Sequence, residues 1–125
     1  MKVLALAAVL AAVLAAATPY AALADGAPIR IGFLSTFSGP NAVLGQDMLE
    51  GFNLGLKASG GMFGGRAVEI VKNDDQAKPD AARQAADKMI ESDRIQILTG
   101  IIFSNVMLAV AKPALLWRRV PEDVS

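Results

Sequence analysis

The fold first becomes visible in residues 29–58, which read IRIGFLSTFSGPNAVLGQDMLEGFNLGLKA. Ile29–Ser35 is an apolar run between Pro28 and a Ser/Gly/Pro cluster, which is typical of a buried strand. Apolar residues then recur at four-residue spacing: Leu44, Met48, Phe52 and Leu56. This spacing predicts a helix over about Val43–Ala58. Gly51 and Gly55 lie near the same stripe, and we interpret them as allowing the helix to pack closely on a sheet.

The strand-helix unit recurs twice further along the chain. Arg66–Asn73 alternates imperfectly between apolar and charged residues and predicts an outer strand, after Ser59–Gly65 has turned the chain. Pro79 can begin a second helix, whose apolar stripe consists of Ala82, Ala85, Ala86, Met89 and Ile90. Ile95–Thr99 predicts a third strand, and Ser104 is predicted to N-cap a helix over about Asn105–Leu116. Such alternation predicts an α/β fold with a parallel sheet.

The first 24 residues have the features of a secretory signal peptide. Lys2 gives a positive start, Val3–Ala17 is an unbroken apolar run, and Ala22-Leu23-Ala24 fits an A-x-A cleavage site. The apolar run is shorter than the roughly 20 residues needed to cross a bilayer. We therefore expect export to the periplasm, cleavage before Asp25, and no stable membrane insertion of the mature chain.

Composition excludes several classes of function. The chain has no histidine and no cysteine, so Ser-His-Asp and Cys-His catalytic sites are impossible within it. Without Lys2, eleven basic residues face twelve acidic ones, which gives no charge excess to attract nucleic acid. The 54% hydrophobic content is inflated by the leader. We expect no metal, no cofactor and no enzymatic activity.

Ligands of open α/β sheets bind in the loops after the strands, which here are Thr36–Val43, Asp74–Lys78 and Gly100–Ser104. The first loop lacks G-x-G-x-x-G, and no G-x-x-x-x-G-K-[ST] occurs, so phosphate-binding fingerprints are missing. Asp74 and Asp75 are adjacent carboxylates, which we interpret as turn residues rather than metal ligands.

The start of the third predicted helix is the best candidate for a binding site. Unpaired backbone N–H groups there carry the positive end of the helix dipole, and a carboxylate docks readily with an added hydroxyl bond. Ser104 could supply that hydroxyl, although from spacing alone a plain N-cap is the favoured explanation. Phe103 would give an apolar wall for the ligand, or it is simply a core aromatic.

These motifs together resemble one family. They are S-G-P at Ser38–Pro40, G-Q at Gly45-Gln46, G-G-x-x-G-G at Gly60–Gly65, D-D-Q at Asp74–Gln76 with Pro79 downstream, A-x-K-M-I at Ala86–Ile90 and I-F-S-N-V-M-L-A around Ser104. Residues 29–115 resemble the periplasmic substrate-binding proteins of ABC importers, in the branched-chain amino acid (Leu/Ile/Val-binding) group. The I-F-S-N-V-M-L-A segment around Ser104 is most similar to the corresponding segment in the subset of these binding proteins that takes up aromatic acids of the benzoate type.

The resemblance implies a three-layer parallel sheet of the type I periplasmic binding proteins, N-terminal lobe only, with strand order 2-1-3. It implies a small carboxylate ligand, an amino acid or an aromatic acid, and an ABC permease as partner. Ser104 would bond the ligand carboxylate, Phe103 and Asn105 would flank it, and Leu44 would line the apolar part of the pocket.

The resemblance ends near residue 115, where residues 116–125 carry no family character. We therefore expect three segments: a signal peptide at 1–24, a partial lobe at 25–115 and a non-family tail at 116–125. Such a truncated lobe should be marginally stable and bind weakly or not at all. Two alternatives stay open, namely a fragment of a Rossmann-like or flavodoxin-like enzyme domain and a ligand-sensing receptor domain of the same fold.

Overall fold

A computed structural model of the chain describes residues 26–117. The predicted leader lies outside the described residues, as does the predicted tail beyond residue 117. The elements in chain order are β1 (Ile29–Ser35), α1 (Ala42–Ala58), β2 (Met62–Phe63), β3 (Arg66–Asp74), α2 (Pro79–Glu91), β4 (Ile97–Thr99) and α3 (Ser104–Trp117).

β1 is the inner strand on which the sheet is built. It pairs in parallel with β3 from Ile29↔Val68 to Ser35↔Asp74, and with β4 from Ile31↔Ile97 to Phe33↔Thr99. The sheet order is β2-β3-β1-β4, so the predicted order of the three sequence-derived strands is confirmed. Residues 31–35 are all buried, which explains why this strand reads as a continuous apolar run.

One edge of the sheet differs from the prediction. The segment expected only to turn the chain contains β2, which pairs antiparallel with β3 through Met62↔Ala67 and Phe63↔Arg66. Gly64 and Gly65 join the two strands, both with positive φ (56° and 78°), as a two-residue hairpin loop requires. The prediction of a wholly parallel sheet is therefore wrong at this edge, and the sheet is mixed.

The main core lies between the sheet and the pair α2 and α3. The stripe predicted for α2 is buried against β1 and α3, which confirms that helix. The fully buried side chains of this layer include Leu34, Ala82, Ala86, Met89, Ile95, Val106 and Val110.

The opposite face of the sheet is covered thinly by α1. Phe52 packs edge-on against Phe33 with ring centroids 5.5 Å apart, and Phe63 lies 6.4 Å beyond Phe52. Phe52 and Leu56 of the predicted stripe are half-buried. Leu44 and Met48 are 46% and 43% exposed, so the face of α1 that meets the sheet does not coincide with that stripe.

The glycines of α1 also differ from the expectation. A Cβ at Gly51 or Gly55 would meet nothing within 4 Å, so these two glycines do not serve close packing. Gly45 does, because a Cβ there would lie 2.0 Å from the carbonyl oxygen of Thr36. The close approach therefore lies between the first turn of α1 and the loop that follows β1.

Matched alanine substitutions test this assignment. Gly51→Ala should raise the free energy of unfolding by about 0.5–1 kcal/mol, because alanine is the better helix former and its Cβ meets nothing. Gly45→Ala should lower it by about 1–3 kcal/mol, because the backbone of Thr36 must move. Urea denaturation of both variants gives the comparison. Equal stability of Gly45→Ala and Gly51→Ala would contradict the packing described here.

Candidate functional site

The loops after β1, β3 and β4 share one edge of the sheet because the three strands are parallel. We call residues 36–41, 75–78 and 100–103 the carboxyl edge. Ligands of open α/β sheets bind at this end of the strands. The helices α1 and α3 both begin here, so their N-terminal turns face the same edge.

Asp74 and Asp75 organise the second loop, as the interpretation of turn residues predicts. The Oδ1 atom of Asp74 accepts a hydrogen bond from the Gln76 N–H at 2.9 Å, and that of Asp75 accepts one from the Ala77 N–H at 2.8 Å. Gln76 and Ala77 have φ of 53° and 55°, a conformation that L-residues seldom adopt. The two carboxylates hold this strained turn in place.

The same carboxylates also reach across to the first loop, which sequence reasoning did not anticipate. The Phe37 N–H donates to Asp74 Oδ1 at 2.9 Å, and the Thr36 hydroxyl donates to Asp75 Oδ1 at 2.5 Å. Thr36 and Asp75 are both buried, with 1% and 0% exposure. The first two loops of the carboxyl edge are therefore joined by a buried bond to a carboxylate.

The environment of Asp74 lowers its pKa. Partial burial by itself would raise the pKa of this carboxyl group. Hydrogen bonds from the Phe37 N–H, the Ser38 side chain and the Gln76 N–H outweigh burial, and the charge of Lys72 adds to them, so the pKa falls below the ordinary 3.8. The ionised form of Asp74 is thus the form that holds the loops.

An apolar cavity lies at the start of α3, with a volume of about 350 Å³. Its lining consists of Ile101, Ile102, Phe103, Ser104, Met107 and Leu108. The volume falls in the range of small-molecule pockets, and a single hydroxyl among apolar side chains is a common lining for an organic ligand.

Helix α3 begins one residue earlier than predicted. The Met107 N–H donates to the Phe103 carbonyl at 2.9 Å, so Phe103 occupies the N-cap position and Ser104 is the first helical residue. The prediction that Ser104 caps the helix is therefore wrong. Its side chain is exposed and lines the cavity beside the free N–H groups of the first turn.

Gly100 fixes this loop against the core. Its φ is +94°, and a Cβ there would lie 2.9 Å from the Phe33 ring and 3.1 Å from the Leu34 carbonyl oxygen. Only glycine fits such a conformation at such close range. The loop that carries Ile101 to Phe103 therefore leaves the sheet in a defined direction.

The predicted site residues separate into two groups. Phe103 and Ser104 both line the cavity, whereas Asn105 and Leu44 are exposed and are not part of its lining. Leu44 lies in the first turn of α1, at the same edge of the sheet.

The sequence did not predict four further lining residues: Ile101, Ile102, Met107 and Leu108. Met107 and Leu108 follow Ser104 by three and four positions, so helical spacing could have placed them on its face.

Residues 26–117 contain no cluster of three or more potential metal-ligating side chains. Within the same range, no helix is both long enough and apolar enough to cross a membrane.

Replacing Thr36 by valine tests the buried bond. Thr36→Val keeps the side-chain shape but removes the donor to Asp75, so we expect a loss of about 1.5–3 kcal/mol in unfolding free energy. Thr99→Val is the matched control, because Thr99 is half-buried and no side-chain bond to it occurs among the described residues. Urea denaturation should separate the two variants, and equal losses would argue against the bond.

Acid should destabilise the folded chain through Asp74. The pKa of Asp74 is lower in the folded chain than in the unfolded chain. At pH values between these two pKa values, the unfolded chain therefore binds more protons than the folded chain does. The stabilisation is complete above the unfolded pKa and is lost as pH falls through the folded pKa. Urea denaturation from about pH 6 to about pH 2 should show a shallower acid loss for Asp74→Asn than for the native chain. Glu50→Gln, on exposed α1, is the control, and identical acid profiles for Asp74→Asn and the native chain would refute this.

Comparison with known proteins places the chain in a family. A family model described as periplasmic binding protein matches residues 28–121. The Leu/Ile/Val-binding protein homolog 6 of Brucella abortus (strain 2308) is 31% identical over 122 residues, which is 97% of this chain and 30% of the relative. The chain thus spans about a third of the length of the curated relatives that it matches.

Solved structures give the same result. An ABC transporter substrate-binding protein from Sphaerobacter thermophilus is 40% identical, with a TM-score of 0.70 over 73% of this chain and 24% of the other. A solute-binding protein of an ABC transporter from R. palustris, in complex with benzoate, is 34% identical, with a TM-score of 0.68 over 70% and 24%. The sheet and helices described above are therefore part of a type I periplasmic binding protein lobe. The chain belongs to the periplasmic binding protein family, in the group of ABC-transporter substrate-binding proteins that includes the Leu/Ile/Val-binding proteins.

Proposed function

We propose that this chain supplies one lobe of a solute-binding protein for an ABC importer, and that its ligand is a small carboxylate with an apolar body. The observation that carries the proposal is the apolar cavity at the first turn of α3, where an exposed hydroxyl and free backbone N–H groups come together. The lobe binds and delivers its ligand and catalyses no reaction. It acts in the periplasm and passes the solute to a membrane permease.

The two ends of the ligand would meet different parts of this wall. Its carboxylate accepts hydrogen bonds from the N–H groups of the first turn and from the Ser104 hydroxyl, favoured by the helix dipole. Its apolar body rests against Phe103 and the isoleucines before it. Asn105 would flank the carboxylate and Leu44 would line the apolar part of the pocket, although neither residue belongs to the lining of the described cavity.

Branched-chain amino acids and aromatic carboxylates both fit this description. The R. palustris neighbour holds benzoate, and the Brucella relative carries a Leu/Ile/Val-binding name. An amino acid would also need an acceptor for its ammonium group. The cavity lining includes no carboxylate, and Asp75, in the loop after β3, is buried and bonded to Thr36. This favours the aromatic carboxylate as the ligand of the described wall.

Affinity should be low for the chain as given. The described cavity is lined only by residues 101–108, so a ligand meets protein on one side. Pockets that bind small molecules tightly bury most of the ligand surface. Because a micromolar site is worth about 8 kcal/mol, half the contacts would leave binding near millimolar.

A chemical-shift titration tests the proposal. Millimolar benzoate should shift the amide signals of residues 101–108 in the 1H–15N spectrum, while benzyl alcohol and benzylamine, which lack the carboxylate, should shift them much less. Ser104→Ala should weaken benzoate binding about fivefold, the loss of one exposed hydrogen bond of about 1 kcal/mol.

Ser92→Ala provides the matched control, because Ser92 is likewise an exposed serine at a helix end, that of α2. It should bind benzoate as the native chain does. Equal weakening by Ser104→Ala and Ser92→Ala, or shifts confined to α2, would overturn the proposed site.

A further inference from the structure

The cavity wall contains one side chain that is open to oxidation. Met107 is 48% exposed and lies one turn after Ser104, within the lining of the cavity. Its thioether is apolar, as are the neighbouring isoleucines, so in the native chain it extends the apolar wall.

The described residues include three other methionines, and none of them is both exposed and part of the cavity lining. Met48 and Met62 are exposed to a similar degree, 43% and 42%, but neither lines the cavity. Met89 is fully buried in the core between α2 and the sheet, with 0% exposure. Accessibility and position in the cavity therefore coincide only at Met107 among these four.

We propose that Met107 is a peroxide-sensitive modification site whose oxidation weakens ligand binding at the cavity. The thioether sulfur attacks the peroxide oxygen, the O–O bond breaks, and the products are the sulfoxide and water. The sulfur is oxidised by two electrons, and the peroxide is reduced by the same two. The weakening concerns the ligand of the proposed function and rests on that function, whereas the oxidation itself depends only on exposure.

The sulfoxide changes the wall in two respects. It replaces an apolar, flexible group by a polar one that carries an acceptor oxygen, which disfavours contact with an apolar ligand body. The partial negative charge of that oxygen also lies one turn from the helix start where the carboxylate binds, and like charges repel. Oxidation therefore disfavours the binding of both the apolar body and the carboxylate of the ligand.

Peptide mass spectrometry after hydrogen peroxide treatment of the folded chain gives the first test. Met107 should oxidise on the order of tenfold faster than Met89, and at a rate close to those of Met48 and Met62. Oxidation of Met107 as slow as that of Met89, or equal rates for all four, would overturn the assignment.

Benzoate titration before and after peroxide gives the second test. Oxidation should weaken benzoate binding roughly threefold or more in the native chain and in Met48→Leu, whose leucine lies outside the cavity. In Met107→Leu, binding should be the same before and after peroxide. Unchanged binding by oxidised native chain would refute the weakening. If benzoate fails to bind before oxidation, the proposed function falls and with it the weakening, while the oxidation rates still decide the assignment of Met107 as the modified residue.

Discussion

A hydrogen bond from Thr36 to the buried carboxylate of Asp75 joins the loops that follow β1 and β3. Both residues are removed from water, so the 2.5 Å bond is worth more than a similar bond at the surface, and its loss would leave a buried carboxyl oxygen with one hydrogen bond fewer. Asp74 adds a second link through the Phe37 N–H at the rim of the same loops. These contacts set where the chain leaves β1, and hence where α1 begins.

Two glycines allow the backbone to pack closely at the carboxyl edge. At Gly45 the first turn of α1 lies against the Thr36 carbonyl, and at Gly100 the loop after β4 lies against the Phe33 ring. Neither approach leaves room for a side chain. α1 and α3 begin at the same edge because β1 and β4, which precede them, are parallel, and the first-turn N–H groups of α3 lie beside a largely apolar cavity.

Much of this arrangement could be predicted from the sequence, because apolar periodicity reports burial directly. The three parallel strands and the stripe of α2 followed from apolar spacing, and the strand ends placed Phe103 and Ser104 at the carboxyl edge of the sheet. Other features depend on contacts distant in sequence. No local pattern indicated that Thr36 would bond Asp75, thirty-nine residues away, or that Gly45 rather than Gly51 would pack closely, against the loop after β1. The two-residue β2 was too short for a periodic signal, and the cap of α3 moved by one residue because boundaries depend on single backbone bonds.

Membership of the periplasmic binding protein family agrees with a mostly apolar cavity at the carboxyl edge of the sheet, where Ile101, Ile102 and Phe103 lie beside Ser104. We propose that a carboxylate ligand meets this lobe at the start of α3. Intermolecular NOEs between the ring protons of benzoate and the methyl groups of the chain test it most directly. NOEs are expected to Ile101, Ile102 and Leu108, which line the cavity. NOEs only to Leu54, exposed on α1, or to Ile97, exposed on β4, would contradict it.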